Sequence, residues 1–559
     1  MRVFSRLVPV FLFAAAVTRA FAASDSVTVP AANFSHLSVG GPVEDGWNLW
    51  SDGFGVCGFD FIEGGACTVV VGARGQPLAG QWPEMEVRLD EEKMFSVTVD
   101  QPYWTPYSMT VEIPSGHHEV AVLFTNDGVS SNEDRNLHLK YLTVISLDGH
   151  LISGPTPPDE YRQRHATLAD QLLGEARKRI EEIRMGQVYV SVVDAAGNPV
   201  KGATVSVRQV RHEFQFGAAL ASRMFSADAS EGETQRYLAE VKRLFNCAVP
   251  ENAMKWPDMQ PAEKELRYDV IDRMAHWCAV NGIPLRGHNL VWECERFLPS
   301  WAKALPDEAL RAALKERVRS VVVRYKGRID EFDVDNEMLH CDYLSRRLGP
   351  SVRQELFFDA REANPRAVLY VNDYGIVEGG KLDAYVDQIR ELLSRGVPLG
   401  GIGVQVHVSG DVDVVELDRT LTVLGKFHLP VKITEFSCDA EDERVQAETL
   451  EHVYRTAFAH PAVSGILMWG FWEKAHGRPR AAMLRADFEQ KPSATVYEDL
   501  VHHEWSTQAL GFTGADGRFS CRAFHGELEV TVRRGEDTQT AAVSLSSSDP
   551  ETAVELTLP

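Results

Sequence analysis

FDVDNE at 332 to 337 and VKITE at 431 to 435 are two strand-like segments that each end on a glutamate, Glu337 and Glu435. An apolar strand rarely aims a carboxylate at its own core, and strand C-terminal ends are where α/β barrels keep their chemistry. Outward from these two stretches, strands are predicted near 214 to 220, 245 to 251, 283 to 289, 329 to 335, 367 to 373, 400 to 407, 430 to 435 and 464 to 470. Amphipathic segments such as DEALRAALKERVRSVVVRY lie between them. Eight such units between Phe214 and Trp505 fit a (β/α)8 barrel of the α/β class, which typically takes ~250 residues with room for insertions. An open doubly wound sheet is the alternative, but no Gly-rich phosphate loop follows the first strand.

At 559 residues the chain is too long for one core, and a formal charge of -23 argues against nucleic acid or an anionic membrane as partner. A neutral polymer is compatible. Residues 1 to 22 carry Arg2 and Arg6, the apolar run Leu7 to Val17 and Ala20-Phe21-Ala22. They read as a cleavable export signal, which implies a secreted or periplasmic protein with no membrane association after cleavage. A membrane anchor is the alternative, but the run falls short of the ~20 residues a span needs. Eight cysteines show no C-x2-C zinc pattern. Cys57 and Cys67 are placed to bridge locally, while Cys247, Cys278, Cys294, Cys341, Cys438 and Cys521 read as buried or idle thiols.

Composition shifts divide the rest. Residues 25 to 150 alternate apolar and polar positions in short runs (CTVVVGA, FSVTVD, YSMTVEI, HEVAVLF), the pattern of a β-sandwich. A linker and spacer helix follow at 151 to 186, a β-hairpin segment at 187 to 212, the barrel at 213 to 505 and a small C-terminal β module at 506 to 559. VYVSVVDAAGNPVKGATVSVRQ at 188 to 209, taken with GFTGADGRFSCRAFHGELEVTVRR at 511 to 534, resembles a transthyretin-like β-sandwich split by the inserted barrel. The alternative is a hairpin plugging the barrel bottom and an independent C-terminal module.

Seven of the eight predicted barrel strands, all but the first, deliver polar or aromatic residues at or just past the C-terminal end. They are Glu251, Asn252, Lys255 and Trp256; His288, Asn289 and Trp292; Asn336 and Glu337; Asn372, Asp373 and Tyr374; Gln405 and His407; Glu435; and Trp469 with Trp472. Any one alone is more often structural. Together they surround a pair of carboxylates, the equipment of glycoside hydrolysis, in which one protonates the leaving oxygen and the other attacks the anomeric carbon or activates water.

The motifs ENAMKW, RGHNLVW, DNE, VNDY, GVQVH, ITE and WG stand in one order. Over about residues 213 to 505 they resemble the xylanases of glycoside hydrolase family 10. The resemblance implies that Glu337 is the acid/base and Glu435 the nucleophile, in a retaining endo-β-1,4-xylanase that needs no cofactor for catalysis. It implies too that Glu251, Asn252 and Lys255 bind sugars on the non-reducing side. His288, Trp292, Asn336, Gln405, His407 and Trp469 would enclose the sugar at the cleavage point, with Trp472 as a further substrate contact. Several positions depart from the family pattern. Glu293 and Glu295 replace a His and a Gln, Ser437 an Asp, Phe332 a Trp, and His476-Gly477 a His-Trp pair.

Upstream, FTNDGVSSNEDRNLHLKYLTV, with GWNLWSDG and GQWPEM before it, is similar to the calcium-dependent xylan-binding modules. Asn126, Asp127, Glu133, Asp134 and Asn136 are the candidate ligands, since a hard cation takes oxygen donors. An Asx-rich turn capping a hairpin is the alternative. The leading reading is a secreted xylanase whose partners are xylan and xylo-oligosaccharides. A retaining glycosidase on another β-linked glucan, or a non-catalytic carbohydrate-binding protein, are the competitors.

Overall fold

The apolar runs of the second half lie buried on both faces, as strands sandwiched between barrel interior and surrounding helices must. In the computed structural model, which describes residues 25–90, 92–128, 134–377 and 380–559, they form one eight-stranded sheet. Its strands are β1 (Gln215–Leu220), β2 (Cys247–Pro250), β3 (Val291–Trp292), β4 (Glu331–Asn336), β5 (Val368–Asp373), β6 (Gly401–Val408), β7 (Val431–Cys438) and β8 (Val463–Met468). Neighbours run β2-β1-β8-β7-β6-β5-β4-β3, all parallel. A single bridge between Ala248 and Leu285 closes the ring. Helices such as Glu231–Leu244, Asp307–Tyr325 and Glu443–Phe458 alternate with the strands.

The predicted third strand needs correction. Residues 283 to 289 pair only through isolated bridges at Leu285 and Gly287, and the regular strand is the two-residue β3 further on. The polar segment Arg286 to Asn289 is occupied by side-chain work instead. Arg286 pairs inside the barrel with Asp333 and Glu331, and Lys432 pairs with Glu331 and donates to Gln215 Oε1. Burial alone would raise the Asp333 pKa, but Arg286 and His288 together hold it below its ordinary value. Two cations and two carboxylates thus neutralise one another below the mouth, which is what makes buried charge tolerable.

The chain divides into two compact units, Met1–Arg164 and His165–Pro559. In the first, two six-stranded antiparallel sheets face each other across a core that includes Val69, Val71, Phe59 and Val122. Cys57 and Cys67 do not bridge. They sit on strands of opposite sheets (Gly53–Phe61 and Gly65–Gln76), and both are free, buried thiols packed in that core. In the second unit, Met185–Val193 pairs with Arg518–Phe524 and Glu551–Thr557, and Thr204–His212 pairs with Gln508–Phe512 and Gly526–Arg534. The predicted hairpin is not one, because Met185–Val193 and Thr204–His212 lie in different sheets; with the C-terminal strands they build one small sandwich around Val190, Val205, Leu528 and Val530, with the barrel inserted between its strands. That arrangement excludes an independent C-terminal module. The predicted export signal lies outside the described residues, and among the described residues no helix is long and apolar enough to cross a membrane.

Candidate active site

Register shifts interrupt the ladders near the mouth between Asp333 and Asp335, between Val404 and Gln405, and between Ile433 and Phe436, with a further one lower down between Val431 and Lys432. A bulge adds a residue and re-aims the side chains beyond it, and here Asn336, Glu337, Gln405 and Glu435 turn toward the mouth. They line a cavity of about 530 Å³ together with Lys255, His288, Trp292, His407 and Trp469. Glu337 itself has φ +59°, the left-handed region, and its backbone N–H donates to Asn372 O at 2.9 Å.

The two carboxylates sit in different surroundings. Glu337 Oε2 accepts from Trp292 Nε1 at 3.0 Å and Oε1 from Gln405 Nε2 at 3.1 Å. Burial first and the negative charge of Glu435 second push the Glu337 pKa up, while the Gln405 hydrogen bond opposes them. Glu435 is 4% exposed and accepts from Asn372 Nδ2 at 3.1 Å and from His407 Nε2 at 3.4 Å. Because a carboxylate only accepts, His407 carries its proton on Nε2. Its Nδ1 then accepts from Ser437 Oγ at 2.7 Å. Asn372 Nδ2 also donates to Asn336 Oδ1 at 2.9 Å, and Asn372 Oδ1 accepts from Thr434 Oγ1, so one amide ties the neighbour of one acid to the other acid. Gly403 makes this possible: a Cβ there would stand 2.6 Å from Asn372 Oδ1.

Around the acids, Lys255 Nζ lies over the rings of Trp292 (5.1 Å) and Trp469 (5.9 Å) and donates to Asn252 Oδ1 at 2.9 Å. His288 meets Trp469 edge-on at 5.0 Å while its Nδ1 is 2.9 Å from Asp333 Oδ2, linking the cleft to the charge cluster below. Glu251 and Asn252 stand beside Lys255 rather than in the cavity lining. Trp472 is a misassignment. It is fully buried, stacked on Phe488 at 4.5 Å and packed against Tyr237, because the turn at Gly470 sends the chain back toward the core. Glu293 is not a cleft residue either: fully buried, it is paired with Arg353 and accepts from Ser345 N.

In the barrel, sequence reasoning missed two features. Cys294 and Cys341, read as idle thiols, form a disulfide with Cα atoms 4.7 Å apart. The signal was topological, since they follow Trp292 and Glu337 at the ends of adjacent strands and so meet at one mouth. The other is a pair of arginines, Arg296 and Arg478, in the cleft wall. Nothing in their local sequence distinguishes them from surface arginines.

In the first unit, the candidate calcium ligands divide. Asn126 is committed to the protein, its Oδ1 accepting from Glu84 N and its Nδ2 donating to Trp82 O. Asn136 exchanges hydrogen bonds with Asn48 and Gln76. Both assignments are thereby withdrawn, and Glu133 lies outside the described residues. Asp127 remains, and its backbone N–H donates to Asp52 Oδ1 at 2.8 Å, which brings in an acid the sequence reading had not named. Arg135 N bonds Gly128 O at 2.9 Å and so carries Asp134 back to the same loop. Asp52, Asp127 and Asp134 offer the oxygen chemistry a hard divalent cation takes, though among the described residues their carboxylates are not gathered into one cluster.

Two family models match the chain: glycosyl hydrolase family 10 over residues 207–499, and a Ca-dependent, xylan-binding carbohydrate-binding module over residues 68–153. Among curated proteins, the anti-sigma-I factor RsgI6 of Acetivibrio thermocellus is 37% identical over 65% of this chain and 47% of its own length. Endo-1,4-beta-xylanase 1 of Arabidopsis thaliana is 31% identical over 64% of this chain and 37% of its own length. The chain thus spans less than half of either relative. Among solved structures, xylanase 10B from Thermotoga petrophila in complex with xylobiose aligns with a TM-score of 0.49 and 26% identity, over 52% of this chain and 95% of that one.

Proposed function

Because the chain belongs to glycosyl hydrolase family 10, we propose that it is a retaining endo-β-1,4-xylanase that cleaves internal bonds of xylan by double displacement. The observation that carries this reading is the pair Glu337 and Glu435 in one cleft with opposed surroundings, one carboxyl pushed toward its protonated form and one held by two N–H donors.

In the first step Glu435 attacks the anomeric carbon while Glu337 gives its proton to the departing glycosidic oxygen, leaving a glycosyl ester on Glu435. Glu337, now ionised, takes a proton from water in the second step, and that water's oxygen displaces Glu435. Asn336 Nδ2 has no hydrogen-bond partner among the described residues, while its Oδ1 is held by Asn372. It is a donor ready for the sugar 2-hydroxyl, an interaction that strengthens as the oxocarbenium-like state forms. Trp469 offers a ring face to a pyranose ring, Trp292, stacked on Phe297, holds Glu337 through its Nε1, and Lys255 with Asn252 and Glu251 extends the cleft for further sugars on the non-reducing side.

We propose further that the first unit holds the polymer. Asp52, Asp127 and Asp134 would hold a calcium ion, whose contribution is to ligate sugar hydroxyls. The charged-then-apolar first 22 residues support action outside the cytoplasm. Reducing-sugar release from xylan by the wild type, against Glu337→Ala and Glu435→Ala, tests the central reading. Release by the wild type and loss in both variants is the expected result. No release from any plant polysaccharide by any form leaves a non-catalytic carbohydrate-binding protein, and release from a β-glucan but not xylan points to another glycosidase.

A further inference from the structure

The cleft carries two cations that a neutral sugar chain does not call for. Arg296 and Arg478 both line it, and among the described residues neither guanidinium has a carboxylate within ion-pair distance. Their neighbours differ. Arg480 pairs with Asp439 and Glu441, and Arg485 with Glu443 and Glu489. Both guanidiniums belong to exposed residues in the cleft that holds the two active-site acids.

The position of Arg478 is fixed. Its backbone N–H donates to His476 Nδ1 at 2.9 Å, so the imidazole acts as acceptor in a tight turn, and that ring packs against Gly470. The residue between them is Gly477, and no atom lies within 4 Å of where its Cβ would stand. The wall of the cleft therefore has open space at Gly477 with a free guanidinium beside it. Arg296 is also held in place. It lies over the Phe297 ring at 4.5 Å, and Phe297 stacks on Trp292 at 3.6 Å.

We infer that the cleft is built to take a xylose chain carrying an acidic side group, a uronic acid, whose carboxylate is paired by Arg478 in the opening beside Gly477, with Arg296 as a second cation at the rim. This rests on the xylanase reading above and names the decoration that site accepts. A planar guanidinium matches a carboxylate through two parallel hydrogen bonds. Room and charge are both needed. A bulky side chain at Gly477 would fill the space, and without a local cation the carboxylate would face Glu337 and Glu435 unscreened.

The test is the ratio of kcat/KM for a xylo-oligosaccharide bearing one glucuronosyl side group to that for the same backbone bearing the uncharged glucosyl group, measured at low salt. The expected wild-type ratio exceeds one. For an exposed ion pair the Arg478→Gln variant should lower it by about 5-fold, and Arg296→Gln by less. Because the pair is solvent-exposed, 0.5 M salt should shrink the wild-type ratio toward that of the variant, whereas a purely steric preference would not respond to salt. A ratio unchanged by Arg478→Gln, or a wild type that treats both side groups alike, overturns the inference while leaving the xylanase reading intact. Failure of the wild type to cleave the undecorated backbone would instead remove both.

Discussion

Replacing Glu337 by Gln keeps the side chain's length and removes its transferable proton. Each Glu337 oxygen accepts one N–H, from Trp292 at 3.0 Å and Gln405 at 3.1 Å. An amide turned either way sets its own NH2 against one of those donors, and an unmade buried hydrogen bond costs about 1–3 kcal/mol. The loss of proton donation is larger, since general acid catalysis contributes roughly 10²–10⁴-fold, or about 3–5 kcal/mol. Leaving-group chemistry separates the two effects. A dinitrophenyl β-xylobioside departs without protonation, whereas the sugar hydroxyl of a xylo-oligosaccharide does not. Because kcat/KM reports the first chemical step, it should fall by roughly 10²–10⁴ on the oligosaccharide and by less than about 10-fold on the aryl glycoside. The pH profile supplies a second readout. The acid must be protonated to work, so wild-type kcat/KM on the oligosaccharide is present below the Glu337 pKa and is lost as pH rises through it. Burial and then the Glu435 charge move that limb upward. In the variant the limb should vanish. An equal fall on both substrates, or an unchanged alkaline limb, would refute the assignment of Glu337 as acid.

The disulfide gives a stability test. Cys294 and Cys341 are 47 residues apart, and closing a loop of that size is worth about 4 kcal/mol on the chain-entropy account. Cys294→Ser or a reductant should therefore lower Tm, and should also lower kcat/KM because the tie flanks Glu337; an unaltered Tm would remove it from the account. Asp335 is fully buried, and burial first, then the Glu293 charge, hold its carboxyl well above the ordinary value. With the folded pKa above the unfolded one, its stability contribution is complete below the unfolded value and declines as pH climbs toward the folded one. Asp335→Asn should flatten the fall in unfolding free energy as pH rises above the ordinary carboxylate range, and equal slopes for the two proteins would count against this. Chelating calcium from the full chain should abolish its retention on insoluble xylan while sparing hydrolysis of short oligosaccharides. Retention unaffected by chelator would dismiss the Asp52, Asp127 and Asp134 site.

The barrel was readable because strands buried on both faces give near-continuous apolar runs, and several of them here carry polar residues near their ends, such as Asn336, Gln405 and Glu435, that a core does not explain. All of Val431 to Cys438 is buried, for example. The third strand was misplaced because RGHN is spent on Arg286 and His288 pairing with Asp333, contacts that no periodicity encodes. Trp469 and Trp472 look alike in sequence. Only the reversal at Gly470 separates a cleft ring from a core ring. The cysteine pair and Asp52 were missed for a shared reason: partners far apart in sequence meet only once the strand order is known. Asn126 was misread because a short amide beside a turn serves the backbone as readily as a metal.

The most direct test of the central claim is the anomer formed first when the wild type cleaves a xylo-oligosaccharide, tracked by proton NMR before mutarotation. Two acids working as nucleophile and acid/base release the β-anomer, with α appearing only later. Initial release of the α-anomer would mean that water, and not Glu435, attacks the sugar, and the double displacement described here would be wrong.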